Sequence, residues 1–337
     1  MRKMPALIFV LVMYLLLAGC SGAPQSREAG SATVVSVLGV TGRTGDFTLT
    51  GTAEGRGSEP PAILRGRGTT PAAGVEELSQ NGEQAADCAH IEHLLLAEDA
   101  GEVLPELLAY AFQEPQLGTE TQLWVTAGDM KAVFSPERDP AKRMGVLKSR
   151  GKDKLGFAPV TLREAASALA EGESLLIPYL INEDEGLSFG GFALWRDGRI
   201  AGRFTGAAAR GAALLSGRRV HWVSGNLSLQ SSGCRITPLI EGGRLEKLSV
   251  SCNLNGVAAG GWKADRETVQ QAEQTAEQEI RAAWERMREL GGDGVGLKRR
   301  AGAGDVLHWG MISRQFSQVF ALRTPEVSVR VSVTERF

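Results

Sequence analysis

The sequence predicts an α+β protein in which several mixed or antiparallel β-sheets are flanked by helices, organised as two to three domains behind a leader segment. Three observations carry this prediction. Antiparallel hairpin signals outnumber repeated β-α-β units, a long amphipathic helix lies near the C-terminus, and a strictly alternating strand follows that helix.

Composition limits the class of protein. With 43% hydrophobic and 23% charged residues the chain is typical of a soluble globular body, and its 42 glycines indicate many turns. The formal net charge of −2 gives no electrostatic reason to expect a nucleic acid as partner. At ~150 residues per domain, 337 residues allow two to three domains.

The first 31 residues predict export and lipid attachment. Arg2 and Lys3 precede an apolar run at 5–17, which is short for a membrane span and ends in Leu-Ala-Gly-Cys. This ending resembles the lipobox of bacterial lipoproteins. We therefore expect a signal peptide at 1–19, a lipid on Cys20 and a flexible spacer at 20–31. The alternative is an ordinary signal peptide with a chance cysteine.

An N-terminal α+β region is predicted at 32–217, with a possible break into two subdomains near 155–185. Its first two strands, at 33–40 and 47–50, have the β-branched and alternating residues of a hairpin. The glycine-, proline- and arginine-rich stretch at 55–74 predicts a surface loop.

The rest of this region alternates between strands and helices. Thr161 and Glu164 have the spacing of a capping box, and Asp197-Gly198 suits the tight turn of a second hairpin. The remaining predicted strands lie at 89–97, 122–127, 174–181 and 189–204, and the predicted helices at 75–81, 102–112, 130–133, 161–171 and 207–215.

The C-terminal α+β domain is predicted at 218–337, and a hairpin at 234–254 is its clearest feature. With the turn centred on Gly243, Cys234 faces Cys252 and the apolar residues share one face. Directly opposed side chains approach closely enough for disulfide geometry after a small closure, so we predict a Cys234–Cys252 bridge. Two reduced, packed thiols are the alternative.

The long helix is predicted at 266–290. Asp265 is its expected N-cap and Gly291-Gly292 its stop, while apolar residues every three or four positions form a buried stripe. We assign the charged residues of this helix, Glu279 among them, to a solvated face. A tight connection at 293–297, a helix at 309–320 and a strand at 326–334 complete the chain.

No residue pattern predicts catalysis or a cofactor. The glycine-rich stretch at 292–296 follows a helix, whereas a dinucleotide-binding loop precedes one. Cys88, His90 and His93 have the donor atoms that zinc prefers, but a closed site needs a fourth ligand and the leucines that follow indicate a buried strand. We therefore expect no metal site, no catalytic residue and no cofactor.

Several separated stretches together resemble the Ger(x)C family of spore germination lipoproteins. The resembling features are the lipobox, a histidine followed by an apolar run and an acidic pair, a hairpin, a long charged helix with its Gly-Gly-Asp-Gly-Val-Gly ending, an aromatic-bearing helix and a valine strand. They lie at 17–20, 90–99, 189–203, 266–297, 309–320 and 326–334.

This resemblance implies a non-enzymatic C subunit of a spore germinant receptor, with an α+β body of three sheet-centred domains. It further implies attachment through Cys20 to the outer face of the spore inner membrane, beside two integral-membrane subunits of the A and B types. A solute-binding lipoprotein of a transporter is the alternative function, and it requires a ligand cleft between two comparable α/β lobes.

Overall fold

The described strands form two β-sheets whose buried side chains make one continuous hydrophobic core. This is seen in a computed structural model that describes residues 32–53, 61–81, 85–113, 117–135, 137–151, 157, 159–183, 186–258 and 265–334. The predicted α+β class with mixed sheets and flanking helices is confirmed.

The larger sheet is built from the first ten strands. Its spatial order is β10-β9-β8-β6-β5-β1-β2-β3, with β4 paired to β1 and β7 paired to β6. The strands are β1 (Ala32–Arg43), β2 (Asp46–Ala53), β3 (Ala62–Gly68), β4 (Ala85–Asp87), β5 (His93–Ala97), β6 (Gln122–Thr126), β7 (Val160–Thr161), β8 (Leu175–Glu183), β9 (Gly186–Arg196) and β10 (Arg199–Phe204).

The centre of this sheet is parallel and its flanks are antiparallel. Strands β1, β5, β6 and β8 run parallel to their neighbours in that order, and every residue of β5 and β6 is buried. Parallel strands covered on both faces have near-continuous apolar sequences. The leucines of β5 and the Leu-Trp-Val run of β6 follow this rule.

Five helices accompany the larger sheet, and a sixth leads to the smaller one. They are α1 (Pro71–Gln80), α2 (Leu104–Gln113), α3 (Met130–Val133), α4 (Pro140–Arg150), α5 (Leu162–Ala170) and α6 (Gly206–Leu215). The predicted capping box is confirmed at α5, where the Glu164 amide donates to Thr161 Oγ1 at 3.1 Å and the Thr161 amide to Glu164 Oε2 at 3.0 Å.

The surface loop predicted at 55–74 is wrong over its second half. Residues 62–68 form β3, which pairs antiparallel with β2, and α1 begins at Pro71. The physical reason is close packing, since a β-carbon on Gly66 would collide with the backbone of Gly74 in α1. The glycines that suggested a turn allow the helix to lie against the strand.

The smaller sheet has the order β11-β12-β13-β14. Its strands are β11 (His221–Ser224), β12 (Leu227–Glu241), β13 (Arg244–Ala258) and β14 (Glu326–Val333). The predicted register is confirmed, with Cys234, Ile236 and Pro238 opposite Cys252, Val250 and Leu248. The turn itself is Gly242-Gly243, and an irregularity beside Leu239 reconciles it with that register.

Three helices surround the smaller sheet: α7 (Arg266–Leu290), α8 (Leu297–Gly304) and α9 (Trp309–Leu322). The N-cap Asp265 and the stop at Gly291 are confirmed, whereas no helix was predicted over the range of α8. Within the described ranges, no helix has the length and hydropathy needed to cross a membrane. The domain boundary at 217, between β10 and β11, stays a prediction.

Candidate functional site at the junction of the two sheets

The long helix α7 joins the two sheets. Its buried stripe consists of small and large apolar side chains at three- and four-residue spacing, namely Ala272, Ala276, Ile280, Ala283, Trp284 and Met287. The first half of the helix lies along β14, while Leu290 at its end packs against Gly202 of β10. One rigid element therefore contacts both sheets.

A buried carboxylate lies in the middle of this helix. Glu279 is 3% exposed and accepts hydrogen bonds from Arg210 Nε of α6 at 2.6 Å and from Trp222 Nε1 of β11 at 2.7 Å. A buried charge is tolerated when it is paired and hydrogen-bonded. Glu279 thus ties the helix to α6 and to the smaller sheet.

The C-terminal end of α7 is held by the larger sheet. Gly291 has a left-handed backbone (φ 70°), and the amides of Gly291 and Gly292 donate to carbonyls of the last helical turn at 3.0 Å each. Arg196, at the end of β9, donates to the carbonyl oxygens of Leu290 and Gly291. A cation at a helix C-terminus also interacts favourably with the helix dipole.

The following turn connects the sheets through its backbone. Gly292 and Gly294 pack against Leu194 and Leu176 of the larger sheet, and the Leu176 amide donates to the Gly294 carbonyl at 3.3 Å. Asp293 points back into the turn, where it accepts from the amides of Val295 at 3.3 Å and Lys298 at 2.8 Å. The glycines permit close contact, and the aspartate orders the start of α8.

Burial and hydrogen bonding have opposite effects on the pKa of Asp293 in this turn. Burial raises the pKa of Asp293 above its ordinary value, although the surrounding amides and the Arg300 guanidinium favour the charged form. Arg300 is itself half-buried, and it donates to the carbonyl oxygens of Leu215 in α6 and Cys234 in β12. These bonds secure α8 against both neighbouring elements.

A cleft of about 740 Å³ lies beside the turn. Aromatic side chains from both halves of the molecule line it, and so does an ion-paired group of three residues. In this group Arg299 Nη1 lies 3.3 Å from Glu171 Oε2 and 3.5 Å from Glu173 Oε2. Burial raises the pKa of Glu173, while the charge of Arg299 lowers it. The aromatic lining consists of Trp195, Trp309, Phe316 and Phe320.

Strand β14 is an edge strand of the smaller sheet, and side chains of α7 accept hydrogen bonds from its amides. The Val331 and Val329 amides of β14 donate to Glu273 Oε1 at 3.0 Å and Glu277 Oε1 at 3.3 Å. An edge strand with free amides can pair with another chain. The glutamates therefore block strand addition at this edge, and they are not merely the solvated charges that the sequence indicated.

The outer edge of the larger sheet is closed in the same way. In β3, the Arg67 amide donates to Glu77 Oε2 and the Arg65 carbonyl accepts from Asn81 Nδ2, both at 2.9 Å. Both partners come from α1 or its C-cap. At these two edges, recognition of another protein by strand addition is disfavoured.

The predicted modification sites fall in different places. Cys20 lies outside the described residues. Cys234 and Cys252 are directly opposed in β12 and β13, with Cα atoms 4.2 Å apart, and the structure joins them as a disulfide. This bridge lies within the smaller sheet, and the backbone carbonyl of Cys234 is itself one of the acceptors of Arg300.

The three residues considered as zinc ligands do not share a site. Cys88 is buried, which raises its thiol pKa to about 11, while the His90 side chain is 68% exposed. His93 is 2% exposed in β5 and accepts a hydrogen bond from Trp124 Nε1 at 3.2 Å. Across the described ranges, no group of three or more potential metal ligands occurs.

Sequence reasoning missed Glu279 as a buried residue, and its assignment to a solvated face is wrong. The signal was present, because Glu279 lies three residues after Ala276 and four before Ala283, both on the buried stripe. It also missed Asp293 as a capping residue of α8, since the turn was noted for its glycines alone.

Comparison with known proteins adds a structural neighbour. Neither a protein-family model nor a curated protein matches the sequence. The crystal structure of the GerBC protein matches with a TM-score of 0.56 at 14% identity, covering 88% of this chain and 96% of the GerBC chain. A structure of Era in complex with MgGDPNP and ribosomal RNA reaches a TM-score of 0.17 at 11% identity and carries no argument.

The chain therefore has the fold of GerBC, a Ger(x)C protein. The resemblance drawn from the sequence motifs is confirmed at the level of the fold. The agreement extends over nearly the whole of both chains.

Proposed function

We propose that this chain is a non-enzymatic lipoprotein subunit of a spore germinant receptor, of the C type, acting in receptor assembly and nutrient-triggered germination. The observation that carries this proposal is the GerBC fold over nearly the full length of both chains. The motif resemblance at 17–20, 90–99 and 290–297 supports it independently.

In this proposal, Cys20 anchors the protein to the outer face of the spore inner membrane, beside two integral-membrane subunits of the A and B types. A diacylglycerol on the cysteine supplies the two chains that stable anchoring requires. Confinement to a membrane raises the effective concentration of the subunit near its partners, so that modest contacts suffice for assembly.

The junction supports a role in assembly rather than chemistry. Its charged residues are engaged with each other or with the backbone: Glu279 with Arg210 and Trp222, and Arg196 and Arg300 with carbonyl oxygens. These contacts fix the relative position of the two sheets. A fixed body of this kind can present one constant surface to membrane partners.

The test is replacement of Cys20 by alanine in a spore-forming host, with Ser21→Ala as the matched control. We expect the Cys20→Ala chain to leave the membrane fraction and nutrient-triggered germination to be impaired, while the control behaves like the wild type. Normal membrane retention together with normal germination would contradict the proposal.

The rival function, a solute-binding lipoprotein, is less well supported because the two sheets are unequal, with ten and four strands among the residues that the structure describes. Thermal unfolding of the purified protein with and without small nutrients separates the two. A saturable rise in the unfolding temperature would favour the rival, and an unchanged temperature would favour the receptor subunit.

A further inference from the structure

The surface at 306–322 is unusual for a folded protein body. Among the described residues, seven large apolar side chains are exposed, and four of them fall in this segment. These are Val306 at 75%, Leu307 at 93%, Trp309 at 41% and Leu322 at 69% exposure. Concentrated exposed apolar side chains mark a contact surface.

The tip of this surface is a capped helical turn with exposed apolar side chains. Residues Val306–His308 form a 3₁₀ turn between α8 and α9, and Asp305 caps it by accepting from the His308 amide at 3.3 Å. The Trp309 ring lies against Gly302 of α8, where a β-carbon would collide with it. Leu307 therefore stands out on a fixed support, with Trp309 at its base.

The charge of the surrounding helical pair is strongly biased. Between 297 and 325 the sequence has five basic residues and one acidic residue, although the whole chain has 37 basic and 39 acidic residues. The acidic residue, Asp305, is engaged with His308 at 2.8 Å. Three of the basic residues are also engaged: Arg299 pairs with Glu171 and Glu173, Arg300 donates to backbone carbonyls, and Arg323 lies 3.9 Å from Glu246. The basic character available to a partner therefore rests on Lys298 and Arg314. Helix α9 has a single charged residue, Arg314, which is exposed.

We propose that residues 297–322, which form α8, the tip at 306–309 and α9, contact an anionic lipid bilayer. This membrane contact is in addition to the lipid proposed on Cys20. The tip is exposed and apolar, which suits insertion among lipid headgroups. Tryptophan is favoured at membrane interfaces, and the basic bias complements anionic lipid.

This inference rests on the proposed lipid anchoring, because the chain used in the experiment is the mature one that cleavage before Cys20 produces. The two ideas can fail separately. The assay below uses a chain without the acyl group, so absence of tip insertion leaves the Cys20 test unaffected, and absence of lipid on Cys20 leaves the vesicle assay unaffected.

The experiment places an environment-sensitive fluorophore at the tip of the mature chain. Cys20→Ser removes the lipidation site, Cys88 is buried and Cys234 is joined to Cys252, so Leu307→Cys provides the reactive thiol. The matched control carries the label at Phe112→Cys, a position that is 54% exposed on α2. The probes are vesicles of phosphatidylcholine with and without phosphatidylglycerol.

We expect a blue shift at position 307 with phosphatidylglycerol vesicles, a weaker one with neutral vesicles, and none at position 112. Leu307→Glu should weaken vesicle binding by about ten-fold or more without changing the unfolding temperature, because the side chain is exposed. Three results would overturn the proposal: no shift at 307, an equal shift at 112, or a shift that requires solubilised membrane subunits instead of vesicles.

Discussion

A buried titratable side chain in each half of the molecule accepts a hydrogen bond from a tryptophan indole, but the two side chains differ in charge. In the larger sheet, Trp124 Nε1 donates to His93 Nδ1; at the junction, Trp222 Nε1 donates to Glu279 Oε2. The buried His93 ring has the exposed Glu92 carboxylate 4.0 Å from its Nε2, whereas Glu279 is hydrogen-bonded to a cation, Arg210.

The difference lies in charge. An indole nitrogen is a donor only, so the acceptor Nδ1 of His93 has no proton and the ring is neutral with its proton on Nε2. Burial lowers the pKa of His93 to about 4, and the charge of Lys148 adds to this effect. The larger sheet thus buries a polar group by keeping it neutral, while the junction buries one by pairing its charge.

The largest predicted effect is acid sensitivity of the larger sheet. A histidine whose pKa is lower in the folded state than in the unfolded state, where it is 6.5, binds a proton more readily after unfolding. The free energy of unfolding is therefore highest at pH values above 6.5 and decreases as the pH falls towards about 4. We expect His93 to contribute a loss of about 2 kcal/mol by pH 5 and about 3 kcal/mol by pH 4.

Urea unfolding of wild-type and His93→Gln chains between pH 7.5 and pH 4 measures this loss as the difference between the two pH profiles. Glutamine keeps an acceptor for Trp124 but does not titrate in this range. His90→Gln is the control, since His90 is exposed. Parallel profiles for wild type and His93→Gln would show that His93 is not the sensitive group.

A smaller effect is predicted at the junction. Arg210→Ala leaves the Glu279 carboxylate buried with Trp222 as its remaining donor. Removing one partner of a fully buried pair costs about 3 to 5 kcal/mol, and we expect about 2 kcal/mol here because the Arg210 side chain is 55% exposed.

The double variant Arg210→Ala/Glu279→Gln tests the reason for this cost. If the penalty comes from the unpaired charge, an amide in place of the carboxylate should restore much of the free energy of unfolding, measured in urea at pH 7. A double variant as unstable as the sum of both single variants would instead indicate lost packing.

Sequence patterns were sufficient where a local rule determines the structure. The cysteine hairpin has one register that places its apolar residues on one face, and it is the observed one. The caps Thr161 and Asp265 and the stop at Gly291 are likewise local, because each satisfies hydrogen bonds within one helical turn.

The sequence was insufficient where tertiary packing overrides local preference. Helix α8 has the sequence LKRRAGAG, whose glycines weaken an isolated helix, and it is held by Asp293 at its start and by Arg300 against β12. Strand β14 alternates as predicted, but alternation does not specify its parallel partner β13. The glutamates of α7 looked like solvated charges because their acceptor role depends on that pairing.

The smallest predicted effect concerns these edge glutamates, which we expect to protect the smaller sheet from self-association. Glu273→Ala and Glu277→Ala each remove one acceptor from an amide of β14, at a cost of about 1 kcal/mol per site. Together they free two amides at the sheet edge, so we expect concentration-dependent association by analytical ultracentrifugation. The control is Glu267→Ala, which alters the same helix in its first turn. If the double variant stays monomeric at every concentration at which the control does, the glutamates do not protect the sheet edge, and their role is limited to joining α7 to β14.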